Sequence, residues 1–143
     1  MSIIDRSLQL AIAQAVTASA ATTDVIDAGA TKNAAIGRDL GAGEQLFLEI
    51  NVTANCTAAG AATVVFSLQD SADNSSYADV VATPAIAIAN LTAGRTIYLP
   101  LPAGMRRYVR GYFTVATGPL TGGAFNAQIV DGMNYNRPYP DHL

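Results

Sequence analysis

The side chains that most often carry out chemistry are scarce in this chain. His142 is its one histidine and Cys56 its one cysteine, and His142 stands next to the C-terminal Leu143. A Ser-His-Asp or Cys-His arrangement needs a base held rigidly beside its nucleophile, and a chain end is a poor place to hold one. A single cysteine forms no internal disulfide, and a zinc site draws on several Cys and His together. Two pairs of carboxylates occur, Asp24 with Asp27 and Asp70 with Asp73. Glycosidases work with such pairs, but both of these stand among turn-forming residues. Gly41-Ala42-Gly43 begins like a dinucleotide fingerprint, yet Leu46 occupies the place of the third glycine. Asp70-Ser71-Ala72-Asp73-Asn74-Ser75 begins like a calcium loop, with Ala72 and Ser75 where an oxygen ligand and a glycine belong. It reads instead as a hairpin loop whose Asp, Asn and Ser bond their own backbone. No catalytic residue, metal or cofactor is assigned, and the chain is expected not to be an enzyme.

The residues suited to binding are more distinctive. From Arg106 to Ala116 the types alternate. Val109, Phe113 and Val115 share a face with Arg107 and Gly111, while Arg106, Tyr108, Arg110, Tyr112 and Thr114 share the other. If the first face is the core, the second is a stripe of arginine and tyrosine, types enriched in protein interfaces. Such residues also stack on bases, but the net charge is −3 and the chain is acidic, which argues against nucleic acid. The stretch after Asp131 has two prolines and no alternation, and reads as an arm with Tyr135, Arg137 and Tyr139 as contacts. The expected partner-binding residues are therefore Arg106, Tyr108, Arg110, Tyr112, Tyr135, Arg137 and Tyr139.

These side chains must be positioned by strands. Gln45 to Thr53 puts Leu46, Leu48, Ile50 and Val52 on one face, with Gln45, Phe47, Glu49, Asn51 and Thr53 on the other. Thr63 to Gln69, Arg95 to Leu101 and Gly123 to Val130 alternate in the same way. Shorter candidates are Leu8 to Ile12, Asp24 to Asp27, and Val80 to Ile88 broken at Pro84. Leu8 to Ala21 also fits a helical spacing, but its threonines favour extended structure. Many short strands separated by Gly and Pro turns predict an all-β, antiparallel sandwich or barrel. One domain is expected over residues 1–131, with residues 132–143 as the arm.

With 143 residues the chain is long enough to bury a core, although 27 of its hydrophobic residues are alanine. There is no apolar run of the ~18 residues that a membrane span needs. The opening Met1 to Arg6 lacks the basic start and apolar stretch of a signal peptide, so synthesis in the cytoplasm is expected. The N-x-[ST] sequons at Asn51, Asn55, Asn74 and Asn90 then carry no glycan. Charge is unevenly spread. Residues 1–79 hold nine acids and three bases, a balance of −6, whereas residues 80–130 hold four arginines and no acid. That split is healed inside the fold, between copies, or toward a larger partner.

The order of motifs resembles the Bbp16 family of capsid cement proteins of Bordetella-type tailed phages. The matching pieces begin with Ala13-Gln14-Ala15-Val16-Thr17-Ala18-Ser19-Ala20 leading to Asp24-Val25-Ile26-Asp27. Gly37-Arg38-Asp39-Leu40-Gly41-Ala42-Gly43-Glu44 precedes a strand, and Phe66-Ser67-Leu68-Gln69-Asp70-Ser71-Ala72-Asp73 follows. Leu101-Pro102-Ala103-Gly104-Met105-Arg106-Arg107-Tyr108-Val109-Arg110 and Tyr112-Phe113-Thr114-Val115 complete the series, before a Gly- and Thr-rich turn and a closing strand. The resemblance covers residues 8–131 and not the arm. It implies a jelly-roll-like β-sandwich on the exterior of the virion. It also implies binding to the expanded shell of the phage major capsid protein, and self-association as a homodimer, or alternatively a trimer. No cofactor, nucleic acid or membrane is implied. A carbohydrate-binding sandwich is the alternative, resting on Tyr77, Tyr108 and Tyr112 in a chain without tryptophan.

Overall fold

The computed structural model describes residues 6–28 and 43–131. Its ten strands are β1 (Gln9–Ala15), β2 (Ala20–Ala21), β3 (Ile26–Asp27), β4 (Phe47–Ala58), β5 (Thr63–Ser71), β6 (Ala78–Ala82), β7 (Ile86–Ala87), β8 (Thr96–Pro100), β9 (Tyr108–Ala116) and β10 (Leu120–Val130). Among the described residues there is no α-helix, only two single 3-10 turns. All strand pairs are antiparallel. One sheet has the order β1-β10-β4-β8. The other has β2-β9-β5-β6, with β3 also on β9 and β7 also on β5.

Short breaks separate β2 from β3 and β6 from β7. When each pair counts as one strand, eight strands remain, ordered first-eighth-third-sixth in one sheet and second-seventh-fourth-fifth in the other. That is the winding of a jelly roll, in which successive strands pass between two packed sheets. The second break falls at Pro84, which has no N–H to donate to a ladder. Thr83 closes the gap instead: its N–H donates to the Phe66 carbonyl at 2.9 Å, and its Oγ1 accepts from the Phe66 N–H at 3.1 Å.

Alternation puts the apolar face of each sheet inward. Leu48, Ile50, Val52, Phe125, Ala127 and Ile129 from one sheet meet Val64, Phe66, Leu68, Val109 and Phe113 from the other, and all are buried. Three rings lock the centre. Phe66 and Phe113 meet edge to face at 5.8 Å, Phe66 and Phe125 at 5.1 Å, and Phe113 stacks on Phe125 at 5.1 Å. Phe125 thus ties β10 of one sheet to β5 and β9 of the other.

Two sequence expectations are corrected. A regular strand over Leu8 to Ile12 puts Leu8, Leu10 and Ile12 on one face, but Ile12 is 56% exposed while Leu10 and Ala11 are fully buried. The register of β1 on β10 slips between Gln9 and Gln14. Within that slip Ala13 takes a φ of 46°, and its N–H donates to Asn126 Oδ1. A bulge of this kind turns the next side chain over. Alternation puts Glu49 on the face opposite the apolar one, and it is buried all the same. Its Oε1 accepts from Gln128 Nε2 at 2.7 Å and from Asn51 Nδ2 at 3.1 Å, and Gln128 is the residue opposite it on β10.

Gly111 on β9 is where the break between β2 and β3 docks. Thr22 N–H donates to the Gly111 carbonyl at 3.0 Å, and the Gly111 N–H donates to Thr22 Oγ1 at 3.1 Å. A Cβ on Gly111 would lie 2.8 Å from Thr22 Cγ2, so Gly111→Ala is expected to cost about 1–3 kcal/mol by overpacking. Thr22→Ser removes that methyl and keeps the hydroxyl. Urea denaturation of both single variants and the double should show Thr22→Ser restoring most of the loss; additive costs would contradict the steric reading.

Candidate partner interface

The residues expected to bind a partner from β9 lie on the outer face of the sheet that contains it. Alternation along β9 buries Val109, Gly111 and Phe113 and leaves Tyr108, Arg110 and Tyr112 half-buried and facing outward, as expected from sequence. Register places Gln69 of β5 beside Arg110 on one side, and Asp79 of β6 beyond it. These side chains form a relay: Gln69 Nε2 donates to Asp79 Oδ1 at 2.8 Å, and Arg110 Nε donates to Gln69 Oε1 at 2.9 Å. The Arg110 guanidinium lies over the Tyr77 ring at 3.7 Å from its centroid and 5.6 Å from that of Tyr112. Tyr77 is itself anchored through its hydroxyl, which donates to Asn74 Oδ1. Burial pushes the Tyr77 phenol up even though Arg110 sits beside it, so it stays neutral and hydrogen-bonding near pH 7.

Arg106 is not part of this stripe. The strand begins at Tyr108, so the alternation does not reach back to it. Arg106 instead grips Asp70. Its backbone N–H donates to Oδ2 at 3.0 Å, its Nε and Nη2 donate to Oδ1 at 2.9 and 2.7 Å, and Nη2 also reaches the Asp70 carbonyl at 2.8 Å. Burial pushes the Asp70 carboxyl up, but the Arg106 hydrogen bonds and charge outweigh it and hold the pKa below the usual value. Arg107 pairs with Asp27 through both carboxylate oxygens, at 2.7 and 3.0 Å, and lies 4.9 Å from the Tyr108 ring centroid. Much of the charge split along the chain is therefore healed within the fold. Tyr135, Arg137 and Tyr139, the remaining expected contacts, lie outside the described residues.

The two carboxylate pairs are engaged by groups of the fold itself. Asp27 holds Arg107, Asp24 lies 3.7 Å from Arg6, and Asp70 holds Arg106. Asp73 organises its own hairpin loop: Oδ1 accepts from the Ser75 and Ser76 N–H groups at 2.9 and 3.0 Å and from Ser71 Oγ at 2.9 Å. Those bonds, led by the one from Ser76, hold its pKa at about 2. The Asp, Ser and Asn side chains thus bond within the loop, as a hairpin reading requires. Among the described residues no group of three or more His, Cys, Asp or Glu is placed to hold a metal ion.

Tyr77, Gln69 and Asp79 complete the Arg110 cradle, and sequence reasoning did not assemble them. The usable signal was the loop Asp70 to Ser76. A hairpin there pairs Asp70 with Ala78 and so carries Tyr77 back over the Arg110 row. In comparison with known proteins, a family model described as Bbp16 matches residues 10–129. No curated protein matches the chain.

Proposed function

The chain belongs to the Bbp16 family, a phage-associated one, and from that premise we propose that it is a structural, non-catalytic protein of the virion. It binds the outer surface of the expanded capsid and cements neighbouring subunits of the major capsid protein, acting as a homodimer. The observation that carries this reading is the extent of the match, which runs through the sandwich from β1 to β10. The Arg–Tyr face supports it, since these residue types anchor protein interfaces. A sugar-binding role has less support, because the Tyr77 ring already carries a guanidinium at 3.7 Å where a sugar would stack.

The mechanism is mass action. A protein that binds only the mature shell stabilises it by RT ln(1 + [L]/Kd), about 2.7 kcal/mol per site at a hundredfold excess over Kd. Contacts repeated by symmetry add through effective concentration. Purified protein is expected to co-sediment with undecorated expanded capsids of its phage, saturating at a fixed ratio to the shell protein, and not with unexpanded ones. Decorated particles should retain DNA to a higher temperature than stripped ones. Failure to bind either shell would overturn the proposal.

A further inference from the structure

We infer that Arg110 is the anchor of the shell-facing surface and that it receives a carboxylate, an aspartate or glutamate of the partner. The inference rests on the capsid-binding reading above and specifies its chemistry. The other described arginines are engaged. Arg106 and Arg107 hold Asp70 and Asp27, Arg6 lies beside Asp24, and Arg95 Nη1 donates to the Asn90 carbonyl at 2.7 Å. Arg110 alone among them meets neither a carboxylate nor a backbone carbonyl. Its single hydrogen bond is from Nε to the neutral amide of Gln69.

An arginine has five N–H donors in a planar fork. With Nε–H engaged, the four N–H groups on the two terminal nitrogens of Arg110 have no acceptor among the described residues. The fork is also held still. Tyr77 lies against one face of the guanidinium, Tyr112 flanks it, and Gln69 is itself fixed by Asp79. A long flexible side chain normally loses much rotamer freedom when it binds, and here the fold has already removed it. The terminal edge that remains matches a carboxylate in bidentate geometry.

A phosphate has the same anionic chemistry, but the setting favours a protein carboxylate. Phosphate-backbone affinity grows with the number of charges neutralised. Among the described residues this face offers one cation without a carboxylate partner, on a chain of net charge −3.

The test uses the full chain with expanded capsids. Arg110→Ala is expected to bind at least about tenfold more weakly at an unchanged melting temperature, and Arg110→Lys to fall between. Arg110→Lys also supplies a chemical probe. A zero-length carbodiimide joins an amine to a carboxylate in contact with it, and the wild-type chain has Lys32 as its one lysine. Position 110 of the variant should crosslink to an acidic residue of the shell protein, located by mass spectrometry. Wild-type affinity in Arg110→Ala, or no crosslink from position 110 in bound Arg110→Lys, would overturn the inference and leave the capsid-binding reading intact. Wild-type protein that sediments with no shell would overturn both. Arg110-dependent capture of a single-stranded oligonucleotide would assign phosphate in place of carboxylate. If Arg110→Ala melts lower, the crosslink decides.

Discussion

Phe125→Ala is expected to remove about 3–5 kcal/mol of folding stability, the range for truncating a buried aromatic side chain. Phe125 is fully buried and contacts Phe66 and Phe113 at ring separations of 5.1 Å each. Those two rings belong to the opposite sheet. The vacated volume therefore opens in the seam between the layers, where neither sheet can collapse onto it without shifting its strands. A domain of this size has a total stability of about 5–15 kcal/mol, so the loss is a large share of the whole. Urea denaturation checks this: the midpoint should fall sharply while the slope, which reports surface exposed on unfolding, stays constant. Phe125→Leu keeps most of the volume and should lose much less. A cost below about 1 kcal/mol for the alanine variant would mean that this ring cluster does not hold the sheets together.

Asp70→Asn should give the second largest effect, and its signature is in the pH dependence. Asp70 is buried, and three donors of Arg106 converge on its carboxylate. Its folded-state pKa is held below the ordinary value. The unfolded chain therefore binds a proton at higher pH than the folded one does. The stability from this pair is complete above the unfolded-state pKa, near 3.9, and is lost as pH falls through the folded-state value. Charge-assisted hydrogen bonds contribute about 1.5–3 kcal/mol. The lower end applies here, because the Arg106 side chain is 42% exposed and solvent screens the pair. Wild-type midpoints should be level from pH 7 to about 5 and then decline in acid. Asp70→Asn should be less stable at pH 7, and the gap should close below pH 3. Asp73, held at about 2 by the Ser76 and Ser75 N–H groups, has the same sign, so some acid sensitivity will persist in the variant. A gap that is constant from pH 7 to pH 2 would show that Asp70 acts through shape and not through charge.

The strands were readable because their signal is local. β9 was legible almost to the residue: Val109 and Phe113 point inward and Tyr108, Arg110 and Tyr112 outward, which a period of two requires once the core face is known. The same rule misled at the ends and at irregularities. Alternation groups Arg106 with the outward stripe although it precedes the strand, and it lines Ile12 up with Leu8 and Leu10 although a bulge intervenes. Bulges and strand ends depend on what the neighbouring strand does, and no residue type marks them uniquely.

The order of amino acids carries the all-β class, most strands and the apolar face of each, because side-chain alternation is a property of consecutive residues. It also raised the charge split and the Arg–Tyr stripe. Tertiary structure decided which charges meet. Arg106 and Asp70 are 36 positions apart, and Arg107 and Asp27 are 80 apart, joined only because β5 and β3 flank β9 in a particular register. It likewise decided that Arg110 would lie beside two tyrosines and keep its terminal donors without an acceptor among the described residues. Register is set by the packing of whole sheets, where slipping one residue exchanges core and solvent faces, and that constraint exists only once the sheets have met.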